Sequence, residues 1–135
     1  MDEDVKVSLA HVPYQVSVDA REHRWLADEP ENAGGGNTGP QPGELLLSSL
    51  GACTAITLKM YANRKKWPLD DIEVTLRYNK ALKTPAAPND TWIEREIHLR
   101  GDLNEEQRNR LLEIAEQCPI HKLLSNPVHI ITKAD

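Results

Sequence analysis

The spacing of apolar and polar positions changes several times along the chain, and each change marks a predicted element. From residue 5 to residue 27 the two kinds alternate in pieces, "VKVSLAHV", "YQVSVDA" and "HRWLAD", with Pro13 punctuating the first two. A period of two predicts antiparallel strands. The stretch "DEPENAGGGNTGPQPG" then carries five glycines and three prolines, so regular structure stops there; a loop of that length serves either as a plain linker or as a flexible flap over a site. From Glu44 to Lys66 no proline interrupts a run of strong helix formers. Pro42 just ahead of that run and Glu44 at its positive end predict a long helix, closed by "WPLDD".

The first two-thirds of this helix is apolar or small on nearly every face, through Leu45, Leu46, Leu47, Leu50, Ala52, Ala55, Ile56 and Leu58. A helix apolar all round must be buried all round. One layer of sheet in a chain this short does not achieve that, so a second subunit is expected to cover part of it. Next, "DIEVTLRYNK" and "TWIEREIHLRG" alternate again and flank the polar "ALKTPAAPND", which predicts a hairpin with a long loop. "DLNEEQRNRLLEIAEQC" predicts an amphipathic helix with apolar positions at Leu111, Leu112, Ile114 and Ala115, with Asp102 or Asn104 as N-cap and Glu105 or Gln107 completing a capping box. "VHIITKA" is expected to close the chain as a strand. The pattern predicts one α+β domain over residues 1–135, in the order βββ-α-ββ-α-β.

Composition narrows the function. A chain of 135 residues, 39% hydrophobic and 27% charged, fits a single core. The formal net charge of -5 argues against nonspecific binding to nucleic acid or anionic lipid, both of which need clustered Lys and Arg; Arg64, Lys65 and Lys66 are too short a cluster to change that. No apolar run approaches the roughly 18 residues of a membrane span. The N-terminus "MDEDVKVSLAHV" is acidic where a signal peptide would be basic, and a cytoplasmic protein is expected. In a reducing compartment the two cysteines, Cys53 and Cys118, suit a transient catalytic or redox-sensing disulfide better than a permanent staple.

"GPQPGELLLSSLGACTAITLKMYANRKKWPL" together with "LLEIAEQCPIHKLL" resembles the OsmC/Ohr family, the osmotically inducible and organic hydroperoxide resistance proteins. The specific part is a Pro-x-Glu-Leu helix start leading to Gly-Ala-Cys, with a Cys-Pro 65 residues after the first cysteine. The resemblance covers nearly the whole chain. It implies an intertwined homodimer in which two long helices pack centrally under curved sheets, with active sites at the subunit interface. It further implies reduction of organic hydroperoxides or hydrogen peroxide without metal, haem or other cofactor, by a peroxidatic Cys53 and a resolving Cys118, which a dithiol reductant regenerates.

That chemistry sets requirements the residues can be tested against. A thiolate attacks one peroxide oxygen to leave Cys-SOH, and a second thiol condenses with it to a disulfide. An apolar surrounding disfavours a thiolate, so a positive group must oppose it. The helix dipole fades within the first turn, and Cys53 lies beyond that. Arg64 shares its helical face but stands roughly 16 Å away along the axis. The resemblance implies an arginine from the N-terminal strands, oriented by a carboxylate at the start of the long helix. Arg24 is the first candidate and Arg21 the second. The family's orienting position falls on Gly43 here, so Glu44, the next residue along, is the candidate carboxylate, with Asp28 and Glu29 in the preceding loop as substitutes.

Other readings carry less. Free cysteine often packs as a small hydrophobe, which leaves a noncatalytic dimer binding a small apolar ligand at its interface as the alternative. Cys118 and His121 form a Cys-x-x-His pair, yet a structural zinc site wants four protein ligands and only Cys53 adds another thiolate, so no metal is expected. His11, His23, His98 and His129 read as structural or surface residues. Trp25, Trp67 and Trp92 read as core or subunit-contact residues. "GGGNTG" lacks the Gly-Lys-Ser/Thr ending of a phosphate loop.

Overall fold

Alternating valines build the first two strands of the N-terminal part. In the computed structural model, which describes residues 3–135, β1 (Val5–Leu9), β2 (Val16–Ala20) and β3 (His23–Ala27) form an antiparallel sheet in that order. The register sets Val7 opposite Val18 and Val18 opposite Trp25. Arg21 lies in the turn between β2 and β3 with φ +54° rather than on a strand face. Val18 and Ala27 are buried, whereas the apolar row of β1, Val5, Val7 and Leu9, is exposed.

The glycine-rich loop has no long element but is tightly built. Only a single 3-10 turn, Glu31–Ala33, interrupts it, and its order comes from Asp28. That carboxylate is 2% exposed and accepts from the Glu29 N–H at 2.7 Å, the Thr38 N–H at 3.1 Å, the Gly36 N–H at 3.3 Å and the Thr38 hydroxyl at 2.7 Å. The Thr38 hydroxyl is the largest influence holding the Asp28 carboxyl below its ordinary range; burial opposes it, and the three N–H donors add to it. A Cβ at Gly35 would collide with the Glu29 carbonyl, so only glycine lets the chain fold back this closely.

Helix α1 runs from Pro42 to Lys65. Proline suits the first helical position because its missing N–H is an orphan there in any case. Lys66 ends the helix in the left-handed region, φ +59°, while the Trp67 N–H returns to the Ala62 carbonyl at 2.8 Å. By length and mean hydropathy α1 is apolar enough to cross a membrane, which corrects the sequence expectation: a window can average as apolar while serines and threonines interrupt the run. Its buried residues Leu50, Gly51, Thr54, Leu58 and Ala62 recur at helical spacing and make it a core helix. The other stripe is uncovered in the single chain, with Ile56 55% and Met60 66% exposed.

The chain divides into two compact units, residues 1–46 and 47–135. In the second, β4 (Leu69–Tyr78) pairs with β5 (Ile93–Gly101) as the expected antiparallel hairpin, with Leu76 opposite Arg95. A Cβ on Gly51 would stand 2.7 Å from Leu76 Cδ1; the glycine lets α1 lie close against β4. Helix α2 (Glu105–Ala115) has Asn104 as its N-cap and Gln107 as the reciprocal partner, which selects one of the capping pairs left open by the sequence. Leu58, Ala62, Leu69, Leu103, Leu111, Ile114 and Ala115 form the core, with Tyr61 and Trp67 packed against it. Trp25 and Trp92 are 40% and 44% exposed.

Two expectations at the C-terminal end are corrected. After Cys118 the chain forms a further short helix, α3 (Pro119–Leu124), which Pro119 opens from its first position. The segment "VHIITKA" carries neither helix nor strand, and Ile130 and Ile131 are 84% and 85% exposed. A strand needs a neighbour to satisfy its backbone ladder, and among the described residues of the single chain none pairs with it.

Candidate functional site: a buried thiol on a polar network

Cys118 is fully buried. The α2–α3 connection places it as the N-cap of α3, where its sulfur accepts the His121 N–H at 3.3 Å. Its other neighbour is the Thr54 hydroxyl on α1, 3.9 Å away. A hydroxyl has one proton and two lone pairs. Thr54 gives its proton to the Leu50 carbonyl at 2.7 Å and accepts from Arg95 Nη1 at 3.1 Å. The remaining lone pair faces the sulfur, so the Cys118 S–H is the donor of that pair.

Arg95 connects this thiol to an acid and an imidazole. Its Nη2 lies 3.2 Å from Glu116 Oε2 and 3.0 Å from His121 Nδ1, and His121 Nε2 lies 2.9 Å from the same Glu116 oxygen. A guanidinium only donates, so Nδ1 accepts and the ring proton sits on Nε2, facing the carboxylate. Both ring nitrogens of the Cys-x-x-His pair are thus engaged by protein groups, and no cluster of three metal-ligating side chains occurs among the described residues. A cavity of about 360 Å³ opens beside the network, lined by the polar Thr91, Arg95, Glu116, His121 and Ser125 and by the apolar Leu50, Ile93 and Leu124.

Cys53 lies on α1 next to Thr54, about 100° further round the helix. It is half-buried, and both cysteines are free thiols. Arg24, on β3, has a side chain 71% exposed and holds Asp19 through Nε at 2.6 Å and Nη2 at 3.2 Å. Asp19 raises the Arg24 pKa above its ordinary value, first by that hydrogen bond, and is itself held below the usual carboxylate range by it. Arg21 meets Glu22 at 3.4 Å. Glu44 accepts the Gln41 N–H at 2.8 Å at the start of α1, and Glu29 accepts from the Gln41 side chain at 3.0 Å.

The structure brings Cys118 together with Thr54, Arg95, Glu116 and His121, and of these four only His121 stands out in the sequence, through a Cys-x-x-His pair from which no metal site is expected. One signal was readable. In "IEREIHL" the inward positions of β5 run Ile93, Arg95, Ile97, Leu99, and an arginine on an otherwise aliphatic face must find buried partners.

A three-stranded sheet, a long helix beneath a strand hairpin and a buried thiol facing that helix define an α+β protein built around two free cysteines. The chain belongs to the OsmC-like protein family, whose model matches residues 34–133. No curated protein sequence matches it. Among solved structures it is similar to an OsmC-like protein from Mycoplasma pneumoniae, with a TM-score of 0.74 and 16% identity over 93% of this chain and 89% of that one. It is also similar to an organic hydroperoxide resistance protein OsmC from Legionella pneumophila, with a TM-score of 0.65 and 22% identity over 92% and 90%. The organic hydroperoxide resistance protein OhrB of Bacillus subtilis has a TM-score of 0.59 and 22% identity over 90% of each chain.

Proposed function

We propose that the protein is a thiol-dependent peroxidase acting on organic hydroperoxides or hydrogen peroxide. The observation that carries this reading is the contact of the Cys118 sulfur with Thr54, the residue that follows Cys53, so the two thiols address the same turn of α1. The Cys53 thiolate attacks the terminal peroxide oxygen; the O–O bond breaks, leaving Cys53–SOH and an alkoxide that takes up a proton to become the alcohol. Cys118 then displaces the sulfenic oxygen as water to form the disulfide, which two thiols of a dithiol reductant reduce. Arg24 stabilises the Cys53 thiolate, with Glu44 as orienting carboxylate. This asks Arg24 to exchange Asp19 for the site, and an exposed ion pair of that kind is weakly held. The working unit is a homodimer, supported by the uncovered apolar stripe of α1 and the exposed apolar row of β1.

The test is a titration of the reduced protein with one equivalent of cumene hydroperoxide, following free thiols and intact mass beside Cys53→Ser and Cys118→Ser. Loss of two thiols and two hydrogens, with a trapped sulfenic acid only in Cys118→Ser, is the expected result. Thiols that survive the oxidant overturn the peroxidase. The apolar Leu50, Ile93 and Leu124 in the cavity lining would then favour a noncatalytic dimer that binds a small apolar ligand.

A further inference from the structure

The peroxide-cleaving half of the proposed cycle does not use the guanidinium of Arg95, which reaches Cys118 through Thr54. Arg95 has a side chain only 12% exposed, on the inward row of β5 between Ile93 and Ile97. A cation there costs desolvation free energy that an aliphatic residue would not. Three partners hold it: Thr54, Glu116 and His121. Glu116 and His121 already hydrogen-bond to each other, so the contact that leads from Arg95 to a reactive atom is the one to Thr54.

We propose that Arg95 is a positioning residue for Cys118, holding the Thr54 hydroxyl so that it accepts from the thiol at rest and donates to the sulfur as the disulfide closes. The proposal rests on the peroxidase reading for the identity of the closing partner, the Cys53 sulfenic acid. In the closing step the Cys118 sulfur pair forms the S–S bond and the Cys53 S–O bond breaks. The oxygen leaves as water, carrying its own proton and the one released by the thiol. As negative charge builds on the Cys118 sulfur, Thr54 turns its proton from the Leu50 carbonyl towards it. The His121 N–H is already in place on the sulfur.

Arg95 makes that rotation inexpensive. Its Nη1 stays on the Thr54 oxygen in either orientation, and the hydroxyl becomes a stronger donor when its oxygen is polarised by a cation. The charged and titratable groups around the sulfur are Arg95 from β5, Glu116 before α3 and His121 on α3, while α1 presents the neutral Thr54. Arg95 is therefore the one fixed positive charge in the network, linked to Cys118 through a single hydroxyl.

The experiment separates the two half-reactions in stopped flow. Sulfenic acid formation and disulfide closure are timed separately in the wild type, Arg95→Lys, Arg95→Met and Arg95→Ala. Methionine keeps the aliphatic volume without the charge. Closure is expected to slow about tenfold or more in Arg95→Met and Arg95→Ala, the loss typical of a hydrogen bond to a charged group, while Cys53 oxidation stays within about twofold by the same reasoning. Arg95→Lys should retain most of the rate. Ethylguanidinium added to Arg95→Ala enters by the adjoining cavity and should restore closure, whereas ethylurea, the same shape without charge, should not.

Closure at the wild-type rate in Arg95→Met, or equal rescue by ethylurea, overturns the proposal. If no sulfenic acid forms in the wild type, the peroxidase reading fails by itself. The Arg95 proposal is then read in Cys53→Ser from the rate of Cys118 with an aromatic disulfide. The same cation-specific rescue is expected there, and its absence counts against Arg95.

Discussion

Replacing Thr54 by valine separates the polar network from simple packing. Thr54 is fully buried, and its hydroxyl serves Leu50, Arg95 and Cys118 together. Valine matches threonine in shape and in helix propensity, so Thr54→Val opens no cavity. What it removes is one acceptor of a guanidinium that is 12% exposed and the acceptor of a buried thiol. The lost charge-assisted bond is expected to cost about 2 kcal/mol. Thr54→Ser keeps the hydroxyl and loses one buried methyl, about 1 kcal/mol. The volume-conserving change is therefore predicted to be the more damaging of the two. Urea unfolding at one fixed protein concentration reads both, since mass action shifts the apparent stability of an oligomer. If valine is as stable as wild type, or serine is worse than valine, the site is held by packing and the network contributes nothing to the fold.

Two further predictions concern the loop and the subunit contact. Because the folded-state pKa of Asp28 lies below the ordinary value of 3.8, its stabilisation is present in full above that value and is lost as pH falls through the lowered one; Asp28→Asn should unfold at a lower temperature than wild type near neutral pH, and the two melting curves should converge in acid. Ile56→Glu combined with Met60→Glu, on the stripe of α1 that is 55% and 66% exposed at those positions, should convert the proposed homodimer to monomer in analytical ultracentrifugation without loss of far-UV helicity; a sedimentation coefficient equal to that of the wild type would refute this stripe as the subunit contact.

What could be read in the sequence was whatever depends on near neighbours. The alternation of "VKVSL" and "HRWLA", the proline before "GELLL" and the Asn104–Gln107 spacing each express a local rule, and the structure shows strands, α1 and the capping box of α2 where those rules apply. The family was legible for a related reason, since its signature is a short motif around each cysteine. "VHIITKA" shows the limit of such reading: a β pattern is only half of a strand, and the other half is a partner that the described residues do not supply.

Asp28 read as a substitute orienting carboxylate and not as the anchor of its own loop, because nothing local reveals that Gly36 and Thr38 return to it. For Arg95 the sequence shows an arginine on an aliphatic row but not what it meets, because its burial follows from β4–β5 pairing and its partners lie 41, 21 and 26 residues away. The sequence by itself determined β1 to β5, α1 and α2, the family and the two thiols. Only the tertiary structure decided what surrounds Cys118, because the polarity of a buried sulfur is set by groups that meet in space after distant segments have paired and packed.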